Sequence, residues 1–146
     1  MTNDIIIGRD DSDKKKLGDK GLVYIGKHYV KMGQTTSLSN RVMLDLARPH
    51  VILVSGKRGS GKSTSLGVIA EEMCNLPKDV SENLSIIMFD TMGIFWTMKY
   101  PNNREEELLR QWNLKTSSFK VNIYCPSGYF KEYKKCNIPV DVPFTL

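Results

Sequence analysis

Eight consecutive residues limit what this chain can become more than any others: Gly56-Lys57-Arg58-Gly59-Ser60-Gly61-Lys62-Ser63. They meet the pattern G-x-x-x-x-G-K-[ST] at Gly56, Gly61, Lys62 and Ser63. The spacing follows from the demands of a polyphosphate. Several donors must converge on the β- and γ-oxygens, and backbone N–H groups supply them when glycines let the chain wrap the anion. Gly59 and Gly61 permit that approach, so the amides of Gly59, Ser60, Gly61, Lys62, Ser63 and Thr64 are the candidate phosphate ligands. A helix starting at this loop adds the positive end of its dipole. Lys62 supplies a full charge to the β- and γ-phosphates and is the candidate catalytic residue. The Ser63 hydroxyl is placed to ligate Mg²⁺. Arg58 projects from the loop and reads as solvent-exposed.

The flanking sequence fits that assignment. Val51-Ile52-Leu53-Val54 enters the loop as an unbroken apolar run, the pattern of a strand covered on both faces. Ser63 to Asn75 leaves it with Leu66, Ile69, Ala70 and Met73 at helical spacing, and Pro77 closes the segment. Leu84 to Phe89 is a second buried-type strand ending at Asp90. Asn103 to Trp112 reads as a helix with Asn103 as cap and Glu106 three residues on. Phe119 to Cys125 is a third strand, stopped by Pro126. Alternation of strand and helix predicts an α/β fold, a P-loop NTPase parallel sheet with flanking helices. Residues 127–146 lack a clear period.

Residues 1–48 read differently. Asp4 to Gly8 is a short isoleucine run suited to an edge strand. Arg9 to Lys20, with Asp10-Asp11-Ser12-Asp13 ahead of Lys14-Lys15-Lys16, reads as a mobile charged loop. Gly21 to Val30 is rich in β-formers, with Gly26 as a bulge or turn. Gly33 to Asn40 is turn-like, and Arg41 to Ala47 alternates as a strand does. The expectation is a small β-rich, barrel-like element over 1–48, followed by the truncated, N-terminal part of a P-loop ATPase domain over 49–146.

Composition narrows the classes further. The hydrophobic share is 40%, ordinary for a soluble globular chain. Lys and Arg total 21 against 16 Asp and Glu, a net +5 that permits a polyanionic partner without requiring one. Cys74, Cys125 and Cys136 form no C-x-x-C pair and read as reduced thiols. No apolar run has the length of a membrane span, and Met1 to Ile7 is too short and too acidic for a signal peptide. These features predict a cytoplasmic protein with no membrane role.

An acid at a strand end usually serves the Mg²⁺ side of such a site, and Asp90 has that position. Asp90-Thr91-Met92-Gly93 also fits the D-x-x-G switch of a GTPase. No N-K-x-D guanine-reading segment accompanies it. The other readings are that this is merely the next strand of a larger ATPase core, whose acid lies on a later strand, and that Asp90 simply caps a turn.

Arg48 to Ser63, continuing through Leu66-Gly67-Val68-Ile69-Ala70-Glu71-Glu72, resembles the HerA-like ATPases of archaea and bacteria, members of the HerA/FtsK group of DNA-translocating motors. Ile86 to Trp96 is similar to their second core strand, with Asp90, Gly93 and Phe95 matching and Ile94 standing where an acid is usual. Val121 to Pro126 looks like their third strand and its proline. The β-rich stretch before Pro49 is similar in kind to the small barrel that precedes the motor in that family. The resemblance implies ATP and Mg²⁺ as cofactors, phosphate contacts from Gly59 to Thr64, Lys62 as charge stabiliser and Ser63 as metal ligand. It also implies double-stranded DNA as substrate, a homo-oligomer (a hexamer), and a nuclease or other effector as partner. The family's catalytic acid, its polar sensor and the arginine from a neighbouring subunit have no counterpart in this sequence. The 83 residues after Ser63 are too few for the usual core and lid, so the expectation is an N-terminal part of a longer ATPase. A GTPase-like switch, a small-molecule kinase and a nucleotide-binding module without turnover are the competing readings.

Overall fold

In the computed structural model, which describes residues 4–145, the chain divides into two units that meet between Ile87 and Met88. Each is α/β in content. Among the described residues no helix is long and apolar enough to cross a membrane, and the three cysteines are free thiols.

The first unit is built on a long antiparallel hairpin. Strand β1 (Ile5–Ile7) runs parallel to β3 (Thr35–Asp45), which pairs antiparallel with β2 (Leu22–Met32), giving the sheet order β1-β3-β2. The hairpin closes in two residues, Gly33 and Gln34, between the paired Met32 and Thr35. Gly33 has φ +62, the positive angle that the first residue of such a turn requires. The Thr35–Asn40 stretch is therefore strand, not turn. Threonine and serine fit the pleat as well as they fit a loop, and cross-strand pairing decides between the two. Register shifts between Tyr24 and Gly26, and between Lys27 and Tyr29, place a bulge at the expected glycine.

Arg9 to Lys20 is not a loop. It contains α1 (Asp11–Leu17), whose N-cap Asp10 accepts a hydrogen bond from the Asp13 amide at 2.8 Å. Acids occupy the first turn and Lys14, Lys15 and Lys16 the last, the arrangement that the helix dipole favours. That charge order, acid before base, was present in the sequence.

The unit's core joins Leu22 and Val23 of β2, Leu44 of β3 and Ala70 of α2 (Lys62–Cys74). Val23 and Leu44 face each other across the ladder. Burial of each such side chain contributes about 1.5–3 kcal/mol. Beside this core sits an ionic clamp. Asp45, at the end of β3, has no exposed surface and receives Arg9 Nε at 3.2 Å, the Ala47 amide at 3.0 Å and His50 Nε2 at 3.4 Å. The Arg9 guanidinium, also fully buried, donates to the carbonyls of Gly18 and Lys20. Arg48 grips the buried Asp13 with two bonds, at 2.7 and 2.6 Å. The clamp thus ties β1, α1 and the exit of β3 to the segment leading into the glycine loop.

The second unit contains α4 (Glu106–Gln111), β4 (Tyr124–Pro126), α5 (Ser127–Lys135) and β5 (Val142–Phe144); the four-residue α3 (Lys78–Ser81) belongs to the first. Strands β4 and β5 pair in parallel with α5 between them, a β-α-β unit in the stretch that has no sequence period. Its core is Met98, Cys125 and Val140. Lys99 holds both oxygens of Asp141 at 2.6 Å, and Asp141 also accepts the Ile123 amide at 2.6 Å. Asn103 does not cap a helix. It opens a 3₁₀ turn (Asn103–Glu105), and α4 begins only at Glu106. Pro126, expected to stop the strand after Cys125, is instead its last paired residue, as a proline at the last ladder position can be.

The expected sheet around the glycine loop is not formed among the described residues. Residues 51–54 and 84–89 carry no ladder, and only the end of the 119–125 stretch is strand. Val51 is 101% exposed, Leu53 88%, Ile87 80% and Phe89 93%. An apolar run becomes a parallel strand only when neighbours accept its ladder on either side, and here they do not.

Removing the guanidinium in Arg9→Ala leaves Asp45 charged and buried without its partner, so urea denaturation at neutral pH should show a loss of about 3–5 kcal/mol. Acid should act through the same carboxylates. Burial alone would push the Asp45 carboxyl up, but the Ala47 amide and Arg9 outweigh it and hold it below its usual range. The Arg48 hydrogen bonds lower Asp13 likewise. Both depressed groups contribute fully above their unfolded value of about 4 and lose that contribution as pH falls through the lower folded values. Denaturation midpoints measured from neutral pH down to about pH 2 should therefore drop, and in Asp45→Asn the acid-driven part of the drop should shrink. An unaltered acid profile in that variant would contradict the assignment.

Candidate functional site: a glycine loop at the start of a helix

The glycine loop spans the chain between residue 56 and the first turn of α2. Its bend is closed by the Ser60 amide donating to the Lys57 carbonyl at 3.2 Å. Gly59 has φ +79 and Gly61 φ +85, and an added Cβ at either would point into open space. Left-handed backbone at two positions so close together turns successive N–H groups to one side. Side chains at these φ values would be strained whatever room they had.

Helix α2 begins at Lys62 with Gly61 as its N-cap, and no side chain caps it. No acid lies in its first turn. The first N–H groups of a helix lack intrahelical acceptors, so this end is a concentration of unsatisfied donors and positive dipole. Residues Gly59 to Thr64 line a concave surface of about 290 Å³ around it.

Lys62 stands at the positive end of its own helix, where a cation is disfavoured. Its ammonium folds back and donates to the carbonyls of Gly56 at 2.8 Å and Lys57 at 2.9 Å. That contact braces the loop and keeps the charge at the cavity rim. Ser63 and Thr64 are exposed, and Ser65 Oγ returns to the Gly61 carbonyl at 3.2 Å. Further along α2, burial pushes the Glu71 carboxyl up, with the Glu72 charge adding to it, and burial raises the Cys74 thiol.

All six phosphate-ligand candidates of the loop, Gly59 to Thr64, line this one cavity. Asp90 belongs to the second unit. There its Oδ2 accepts the Phe95 amide at 2.8 Å and closes a turn in which Gly93 has φ +64. Thr91 and Met92 are exposed. The turn-capping role of Asp90 is thus the one its contacts display. The sequence reading missed the bracing role of Lys62 on Gly56 and Lys57. The cation's placement at a helix start, where it must find acceptors other than the helix, is the signal that announces it.

The loop fits Mg²⁺ with a nucleotide. Among the described residues no group of three or more His, Cys, Asp or Glu is gathered that could hold a metal by itself. Mg²⁺ rarely needs such a group, since it binds through one or two protein oxygens plus substrate phosphates and waters. Ser63 offers the protein oxygen.

The family model described as the helicase HerA central domain matches residues 23–142. The chain belongs to that family. The match covers most of the chain, beginning in β2 of the hairpin and ending in β5. No curated protein and no solved structure gives a match. Membership in the HerA central-domain family marks the chain as belonging to a nucleotide-binding, ATPase-type family, and the glycine loop lies inside the matched residues.

Replacing Gly61 by alanine should weaken Mg-ATP binding about 5- to 30-fold, as a strain of roughly 1–2 kcal/mol relaxes by turning the amides away. The loop is exposed, so the unfolding midpoint should stay within a degree or two of the parent. Calorimetric titration beside thermal unfolding reads both, and an unchanged affinity would show that the left-handed turn is not needed.

Proposed function

We propose that this chain is the nucleotide-binding part of an ATP-hydrolysing motor that translocates DNA. The observation that carries the reading is the uncapped start of α2, wrapped by two left-handed glycines and braced by Lys62, in a chain of the HerA central-domain family. In this reading the amides of Gly59 to Thr64 bind the β- and γ-phosphates. The Lys62 ammonium leaves the carbonyls of Gly56 and Lys57 and settles on phosphate oxygens, exchanging neutral acceptors for charged ones. It then neutralises charge that grows at the β–γ bridge as the bond to the γ-phosphoryl breaks. Ser63 holds Mg²⁺, which when bound supplies charge neutralisation across the same phosphates.

ATP and Mg²⁺ are the cofactors, and double-stranded DNA is the polymer. The working form is a homo-oligomer, a hexamer, acting in the cytoplasm with a nuclease or similar effector. In a ring, a neighbouring subunit can bring an arginine to the phosphates. Phosphates bound at the loop would also steady the exposed run at 51–54, which leads directly into it. We infer that the 146-residue chain alone is marginally stable and gains stability on binding nucleotide.

A GTPase-like switch at Asp90-Thr91-Met92-Gly93 is a second reading. The Asp90 oxygen engaged by the Phe95 amide counts against it.

Lys62→Ala should abolish measurable Mg-ATP binding, and Ser63→Ala should weaken the Mg²⁺ dependence while keeping Mg²⁺-free nucleotide binding. Urea denaturation with Mg-ATP present should move the parent's midpoint up and leave that of Lys62→Ala in place. Competition titration should favour ATP over GTP. Retained affinity in Lys62→Ala, or a preference for GTP, would overturn the reading. Hydrolysis by the chain in its full protein context should rise when double-stranded DNA is added.

A further inference from the structure

The positive charge of this chain is not spread evenly. Between Asn113 and Val140 stand Lys115, Lys120, Lys131, Lys134 and Lys135 against Glu132 alone, so this stretch holds +4 of the chain's net +5. Three of the five lysines lie on α5 (Ser127–Lys135). Lys131, Lys134 and Lys135 have the i, i+3, i+4 spacing that puts them on one face, in an arc of about 100°. All three are exposed, and α5 buries none of its residues. Glu132 falls outside the arc, on the side of Tyr129 and Tyr133.

This face lacks the partners that an ordinary solvated face has. Among the described residues no ion pair involves Lys131, Lys134 or Lys135, whereas α4 carries its own pair between Arg110 and Glu106. Asp141, the acid whose carboxyl feels the Lys134 charge, is already held by Lys99 at 2.6 Å. Lys134 Nζ lies 5.5 Å from the centre of the Phe130 ring, a contact that fixes the ammonium without neutralising it. Helix-end electrostatics explain Lys134 and Lys135 in the last turn. They do not explain Lys131 in the middle, nor Lys115 and Lys120 outside the helix.

We propose that α5 is a contact surface for the phosphate backbone of a nucleic acid, with Lys131, Lys134 and Lys135 neutralising phosphates of one strand. The choice of double-stranded DNA as the polymer rests on the motor reading above; the surface itself rests on the lysine face. A lipid surface is the other polyanion, and α5 suits it poorly. A membrane-lying helix needs a broad apolar face. Here Phe130 is engaged by Lys134, and the remaining large side chains are two tyrosines, stacked with ring centres 6.0 Å apart.

The test is fluorescence anisotropy with a labelled duplex of about 30 base pairs, titrated from about 50 to about 200 mM salt. The triple variant Lys131→Gln, Lys134→Gln, Lys135→Gln should bind roughly ten-fold or more weakly, and its slope of log K against log salt should fall by about 2–3, near 0.9 per lost phosphate contact. A matched variant on α1, Lys14→Gln, Lys15→Gln, Lys16→Gln, removes the same charge and should keep the parent's slope. Mg-ATP binding should be unchanged in both variants, so a failed nucleotide site and a failed DNA surface are read apart. Equal slopes for parent and α5 variant would overturn the proposal, as would an equal loss in the α1 variant. Loss of binding to phosphatidylserine vesicles with duplex binding intact would overturn it in favour of a lipid surface.

Discussion

A helix that starts without a cap leaves donors facing outward, and the first turn of α2 is such a start. Most proteins hide this end with a serine, threonine or aspartate, or place an acid beside it. Here glycine stands at the cap, no acid follows, and the first helical residue is itself a cation. The arrangement is unfavourable for a bare helix and favourable for one that meets an anion. Lys62 relieves part of the cost by donating to the carbonyls of Gly56 and Lys57. Those bonds order the loop and can exchange for phosphate, because an anionic oxygen adds a charge–charge attraction to the ammonium that a neutral carbonyl does not supply.

The rest of the first unit holds this helix end in place. Ala70 packs α2 into the core with Leu22, Val23 and Leu44. The Arg9–Asp45 clamp and the Arg48–Asp13 pair fix the chain where it leaves β3 on its way to the loop. The apolar runs on either side of this framework are left uncovered, with Val51, Leu53, Ile87 and Phe89 almost wholly exposed. Burying a side chain of this size is worth about 1.5–3 kcal/mol. A chain that forgoes this at several positions is poised to gain from whatever covers them.

What the sequence disclosed, and what it did not, follows from the range of the interactions involved. The glycine loop was legible because its function is carried by local backbone: positive φ at Gly59 and Gly61, and a helix beginning at once. Helix α2 was legible from its period, and the bulge near Gly26 from the glycine. Helix α1 was misread as a loop because its charged residues look like disorder when counted and like a capped helix only when ordered, acids first and lysines last. The Thr35–Asn40 strand was misread because its residues suit turn and strand alike, and only the pairing with β2 separates them. The unbroken runs at 51–54 and 84–89 carry the signature of a parallel sheet, yet a parallel ladder depends on partners distant in sequence, which no local pattern supplies. Helix α5 and strand β5, which complete the β-α-β unit from Tyr124 to Phe144, went unseen for the complementary reason: nine and three residues are too few to display a clear period.

The central claim is that the Lys62 ammonium and the amides from Gly59 to Thr64 form a phosphate cradle. The most direct measurement is a crystal structure of the protein with Mg²⁺ and a non-hydrolysable ATP analogue. The account predicts the triphosphate seated against the first turn of α2, with the Lys62 ammonium moved from the Gly56 and Lys57 carbonyls onto phosphate oxygens and the Ser63 hydroxyl on the metal. An analogue bound elsewhere, with Lys62 still on those two carbonyls, would contradict it.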